Sequence, residues 1–313
     1  MSAPSLNRDA IMQAIMDSCD KDDAPAVAEG FGMITSFGPT GIIQRLLPRF
    51  LRRAAMKGSP NVICHLVEQG ADVTAVPGGL LSADGNPPTR KTLEVLVAHG
   101  WDIKSCFRGR DVPVLWDVME DSRLVEWCLD HGASVDPPDD TPPGFIGRMP
   151  VLERAAARAD IATFELLRAK GAPLCYNYGV FPSAVMAAND HAPETSDRPS
   201  TEFQRRMDMV RHLVDVVGCD VNSRSNEPYR SGSACSTPLC WIACHSVGDT
   251  KDLIWLLLDR RGHLDLARPN EGNWSAPGAR EAASQLHNSR FLEAVEEWQA
   301  KHEGNVAQRA GEQ

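Results

Sequence analysis

The sequence predicts an all-α solenoid, a stack of helix pairs in place of one globular core. Three observations lead there. One type of segment recurs along the chain. Its copies keep one internal order: a short stretch with small residues, an aliphatic run at helical spacing, then a closing Gly. Those glycines fall at 70, 100, 132, 171, 218 and 262, at intervals of 30, 32, 39, 47 and 44. Self-similarity at a period of this size is the mark of a repeat protein, in which each unit buries its apolar face only against its neighbours.

The chain opens with capping helices over 1–49. Leu6–Ser18 places apolar residues at 6, 10, 11, 14 and 15, and 24–48 continues as helix and loop, ending in Ile42-Ile43-Gln44-Arg45-Leu46-Leu47. The repeats follow over 50–266. The first clear copy carries Ala54-Ala55, the aliphatic run Val62-Ile63 to Leu66-Val67, and Gly70-Ala71-Asp72. A later copy carries Ala155-Ala156, Ile161, Phe164, Leu166-Leu167 and Gly171-Ala172, and in both the second Ala precedes the closing Gly by 15 residues. A third opens at Thr237-Pro238-Leu239 and runs through Leu253-Ile254 and Leu256-Leu257-Leu258 to Gly262. Weaker copies end at Gly100, Gly132 and Gly218.

Each part has a physical reason. Small Ala pairs let the neighbouring helix come close, and the aliphatic face of the second helix is buried in the stack. The closing Gly ends the helix in a left-handed conformation that only Gly reaches without strain. Thr caps the free amides of a helix start, and Pro tolerates the first helical position. Leu66, Leu166, Leu167, Leu239, Ala243 and Leu257 are therefore expected in the core with the Ala pairs.

Thr237-Pro238-Leu239, Ala54-Ala55, Ala155-Ala156, Gly70-Ala71-Asp72 and Gly132-Ala133 resemble the ankyrin repeat. The resemblance implies about six repeats, each a turn, two antiparallel helices and a finger loop. Inserts depart from the pattern at 136–148, 189–203 and 223–236; the second separates the two helices of one repeat, and the others enlarge fingers. A C-terminal cap is expected over 267–301, with Leu286, Phe291, Leu292, Val295 and Trp298 facing in, and a disordered tail over 302–313.

Composition narrows function. Lys and Arg number 32 against 42 Asp and Glu, a net charge of −10. Such a chain is poorly suited to phosphate backbones, whose non-specific binding depends on Lys and Arg. No apolar run reaches membrane-spanning length. Asp9 and Asp17 interrupt the apolar residues at the start, which argues against a secretory leader. Nine cysteines at irregular spacing then read as reduced thiols in cytoplasm or nucleus.

Catalytic signatures are missing. The sequence has no Gly-Lys-Ser/Thr loop, His-Glu-x-x-His helix or Gly-x-Ser-x-Gly elbow. Cys235, Cys240, Cys244 and His245 form the sharpest cluster of ligand-type residues. They lack the Cys-x-x-Cys knuckle of recognisable zinc sites, and small thiols suit a crowded helix seam, so no metal and no cofactor is expected. His99 and His131 each precede a closing Gly, where an imidazole can meet free helix carbonyls.

Aromatic and arginine residues point to binding. Protein interfaces are enriched in both, and the finger segments concentrate them. The expected partner surface comprises Phe107, Arg108, Arg110, Trp116, Phe145, Arg148, Tyr229, Arg230 and Trp241. Trp116 and Trp241 stand open between groove and core, and Phe145 between partner contact and pinning its own loop. Trp127 and Trp255, inside second-helix runs, are assigned to the core.

The expected function is a non-enzymatic protein–protein interaction module using the concave groove and fingers. The degenerate repeats, inserts and acidic balance are similar to stand-alone ankyrin proteins of filamentous fungi. Some of those are proposed to be transcription co-regulators, including for secondary-metabolite gene clusters. The resemblance implies action through a partner factor, without direct contact to nucleic acid or membrane. Two alternatives stay open: an enzyme or small-molecule binder on an ankyrin-like scaffold, and a regulatory or scaffold subunit of another enzyme.

Overall fold

A computed structural model describes residues 8–37, 41–77, 88–104, 114–135, 150–174, 179–195, 200–223, 237–246, 248–266 and 277–311. All regular structure among these residues is helical. The chain divides into two compact units, Met1–Arg148 and Met149–Gln313. The division falls at the end of the insert 136–148, where the sequence reading drew one continuous stack.

The first unit holds α1 (Arg8–Asp20), α2 (Ala24–Phe37), α3 (Ile42–Lys57), α4 (Pro60–Glu68), α5 (Arg90–Ala98), α6 (Val114–Asp117) and α7 (Ser122–Asp130). Packing of α1 on α3 and α2 on α4 makes the N-terminal cap itself a helix pair stacked on the next. The expected cap boundary at 49/50 lies inside α3, because Pro48 does not break that helix. Proline removes one donor from a helix and favours a break, yet α3 continues through it. The α3 face carrying Ile43, Leu47, Phe50, Leu51, Ala54 and Ala55 is buried and holds the helix in place across it.

The second unit holds α8 (Val151–Arg158), α9 (Ile161–Ala169), α10 (Val180–Asp190), α11 (Thr201–His212), α12 (Pro238–His245), α13 (Lys251–Asp259), α14 (Ala279–Gln285) and α15 (Ser289–Gly311). First helices form a row, α8 on α10 on α12 on α14, and each packs on its own second helix. This order of helix pairs is the all-α, ankyrin-type solenoid arrangement. Ala155, Ala156, Ala243, Ala282 and Ala283 are buried along the first-helix row, the close approach that small side chains permit. Thr237 accepts from the Cys240 amide and Pro238 occupies the first turn, the helix start read from the sequence.

Gly70, Gly100, Gly132 and Gly171 close second helices with φ between 92° and 94°. Each closure uses two backbone bonds, as where Gly70 N donates to Val67 O and Ala71 N to Leu66 O. Asp then ties the base of the finger: Asp72, Asp102 and Asp220 accept from the amides of Thr74, Lys104 and Asn222. Hydrogen bonds from Thr74 hold the Asp72 carboxyl below its ordinary value, first from the hydroxyl and then from the amide.

Four expectations change. Gly262 is not the left-handed residue of its turn; Arg261 is, at φ 66°. A Cβ on Gly262 would meet Leu239 Cδ1 at 2.8 Å and Leu257 O at 2.9 Å, so this glycine is needed for space. Leu166 is half-buried, and Phe164 and Leu167 carry the α9 core face instead. Leu286 is 57% exposed, while Phe291 and Val295 fill the cap. The last helix runs to Gly311, past the Lys301 at which the sequence reading ended the cap.

Candidate partner-binding surface

Of the nine residues expected on the partner surface, Phe107, Arg108, Arg110, Phe145, Arg148, Tyr229 and Arg230 lie outside the described residues. So does Cys235 of the cysteine cluster. The remaining two separate clearly. Trp116 is 7% exposed and belongs to the core. It sits on α6, which has only four residues, and Val114 and Leu115 are buried beside it. So short a helix spends its whole apolar content on packing.

Trp241 is half-buried on α12, and its indole stacks on the exposed His245 with ring centroids 4.0 Å apart and planes 11° apart. The i,i+4 spacing puts both rings on one helix face, and His245 Nδ1 lies 3.2 Å from Trp241 O. Trp241 Nε1 is buried and has no hydrogen-bond partner among the described residues. The same pairing recurs at Trp127–His131 and Trp298–His302. His131 Nδ1 meets Trp127 O at 2.8 Å, the helix-end role expected of that histidine.

Three further tryptophans among the described residues are structural. Trp101 is buried and its Nε1 donates to Val76 O, joining one finger base to the previous one. Trp127 is buried as expected. Trp255 is only half-buried: its Nε1 donates to Ala294 O, and the Lys251 and Lys301 ammonium groups stand 4.9 and 4.8 Å from its ring. Phe181 is buried in α10.

The thiols are placed for packing. Cys240 is buried with its Sγ 3.6 Å from Pro277 O, and Cys244 is half-buried. Burial pushes the Cys19 and Cys128 thiols up to about 12 and Cys219 up to about 11, against the reactive thiolate form. One buried arginine stands out: Arg206 donates to the carbonyls of Arg158 and Ala159 and pairs with the half-buried Glu202. The guanidinium sits at the negative end of α8. Burial raises the Glu202 carboxyl, but Arg206 and Arg205 outweigh it and hold it below the usual range.

The described residues of the first unit also form an open cleft of about 540 Å³ between α2, α3 and α4. Phe31, Thr35, Ile43, Gln44, His65 and Gln69 line it. The Thr35 hydroxyl donates to the carbonyls of Phe31 and Gly32, so it is committed to its own helix.

Sequence reasoning missed a group on α3. Arg45, Arg49 and Arg52 are exposed, while Arg53, on the same helix, pairs with Asp20 through both oxygens. The signal was available as arginines four and three residues apart among Ile42, Ile43, Leu47, Phe50 and Leu51. The assumed boundary at 49/50 cut through it.

No family model and no curated protein matches the sequence. Among solved structures, the chain is similar to the human ASB11 ankyrin repeat domain at 16% identity and a TM-score of 0.38, over 87% of this chain and 96% of that one. The fold assignment rests on the helix order, closing turns and stacking described above.

Proposed function

We propose that the chain is a non-enzymatic protein–protein interaction module that binds its partner through first helices and finger loops. The observation that carries this reading is Trp241. On α12, Pro238, Leu239, Cys240, Ile242 and Ala243 are all buried, yet the one large aromatic is left half-exposed on an exposed histidine. Its buried indole N–H has no acceptor among the described residues. Rings of this kind are preferred anchors at protein interfaces, burying a large area for little lost conformational freedom.

The finger residues Phe107, Arg108, Arg110, Phe145, Arg148, Tyr229 and Arg230 extend this surface in the proposal. The closing turns hold each finger base in place whatever its tip contains. A co-regulator acting through a partner factor, in cytoplasm or nucleus, fits a net charge of −10 better than direct DNA contact.

Affinity capture by the full chain followed by mass spectrometry identifies the partner. Trp241→Ala should then weaken binding by more than about 2 kcal/mol while the thermal transition stays in place. If Trp241→Ala, Arg108→Ala and Tyr229→Ala all bind as wild type does, and variants on the exposed faces of α9 and α11 fail, the assignment is wrong.

A further inference from the structure

Arg45, Arg49 and Arg52 lie four and three residues apart on α3. At about 100° per residue they fall within roughly 60° of arc and span about 10 Å along the axis. All three are exposed, and none has an ion-pair partner among the described residues. Adjacent like charges on a helix cost a few tenths of a kcal/mol per pair, and this arrangement carries that cost without a compensating carboxylate among the described residues.

Four carboxylates of the neighbouring elements are engaged elsewhere, while Glu29 of α2 and Glu68 of α4 pair with none of the three arginines among the described residues. Asp17 accepts from Gln13, Asp20 holds Arg53, Asp22 accepts the Asn61 and Val62 amides at the start of α4, and Asp23 accepts the Ala26 amide. The Arg53–Asp20 pair shows what an arginine of this helix does when a carboxylate is in reach: it binds both oxygens. The opposite face of α3 is buried, so the stripe has no packing role.

We propose that the exposed face of α3 bearing Arg45, Arg49 and Arg52 docks an acidic polypeptide segment of a partner protein. This rests on the interaction-module reading and names a surface and a partner chemistry for it. Three guanidinium forks along one ridge match carboxylates on a helix or extended strand, each fork able to take one carboxylate bidentately. A nucleic acid fits less well. Three contacts release few counterions, too few to hold a phosphate backbone at physiological salt.

The test uses the full chain and a fluorescently labelled glutamate-rich peptide, followed by anisotropy at low and high salt. The comparison probes are the same peptide with Gln for Glu and a single-stranded oligonucleotide of equal charge. The triple variant Arg45→Gln, Arg49→Gln, Arg52→Gln should bind the acidic peptide at least about tenfold more weakly. A control triple variant, Lys91→Gln, Arg123→Gln and Arg290→Gln, removes the same charge elsewhere and should bind within about twofold of wild type, since distant charges are screened. Circular dichroism shows whether both variants are folded; if the Gln triple is not, Arg→Lys at the same sites keeps the charge and should lose only the bidentate share of affinity.

Equal loss in both triple variants would show a net-charge effect and overturn the proposal. So would equal binding of the Glu and Gln peptides, or stripe-dependent binding of the oligonucleotide tighter than that of the peptide. If a partner is captured equally well by wild type and by the Gln triple, the stripe assignment fails while the module reading stands. If the chain captures no protein partner, the module reading itself fails.

Discussion

Two second helices of the second unit meet the same difficulty and solve it differently. In α4, α5, α7 and α9 the buried residue whose carbonyl closes the helix lies four positions before the Gly, as Leu66 does before Gly70 and Leu167 before Gly171. After α11 and in α13 the spacing is five, Leu213 to Gly218 and Leu257 to Gly262. At the first, the helix widens into a π turn over Leu213–Val217, Gly218 stays left-handed at φ 80°, and Cys219 N donates to Leu213 O. At the second, the helix keeps its pitch and the turn closes one residue early. Arg261 takes φ 66°, and Gly262 N reaches Leu257 O. One extra residue is absorbed in the ladder in one case and in backbone strain in the other. Both solutions keep the buried Leu and move the cost to exposed positions, so the stack sets the register and the turn yields to it.

The largest effect should come from the residues both solutions protect. Leu213→Ala and Leu257→Ala should each cost about 2–5 kcal/mol in urea denaturation, because both side chains are fully buried. Leu166→Ala, at a half-buried position one residue from Leu167, should cost clearly less. Equal losses at Leu166 and Leu257 would break the claim that the register leucine anchors the pair.

Glycine substitutions come next and separate the two turns. Gly262→Ala should cost about 1–3 kcal/mol through overlap with the Leu257 carbonyl and Leu239. Gly218→Ala has open space around it and should cost about 1 kcal/mol, from its left-handed backbone alone. Arg261→Gly should stabilise by about 0.5–1 kcal/mol, as relief of left-handed strain exceeds the entropy cost of glycine. A destabilised Arg261→Gly would show that the side chain, not the backbone, decides that turn. Smallest of all, deleting Val216, which is 67% exposed in the π turn, should restore the four-residue spacing and change stability by only about 0.5 kcal/mol. A large loss on that deletion would mean that the π turn is required by the stack.

Most of the fold was legible in the sequence because its determinants are local and repeated. A left-handed closure needs Gly, a close helix seam needs Ala, and a helix start takes Thr-Pro; each signal recurs. The failures have local causes. Pro48 is overridden by the buried face of α3, and Arg261 shows that a non-glycine residue can occupy the closing position. Leu166 and Leu167 are adjacent on a helix, so a one-residue change in phase exchanges core for rim. The binding surface was less legible. The aromatic and arginine residues proposed for it fall mostly in segments of the sequence where no period ties a residue to a face. Trp116 and Trp241 share a residue type and a first-helix position, and the length of α6 against α12 decides their fates. The α3 stripe does carry a period, but it is written in charges on a helix whose extent was misjudged.

The central claim is that second helices and closing turns serve the stack while the exposed faces of first helices and the fingers serve a partner. Hydrogen exchange of the full chain with and without its captured partner tests this most directly. New protection should appear in α3 and α12 and in the finger segments 105–113 and 224–236, with α9, α11 and α13 unchanged. Protection confined to α9, α11 and α13, with α3, α12 and the fingers exchanging as in the free chain, would contradict the account.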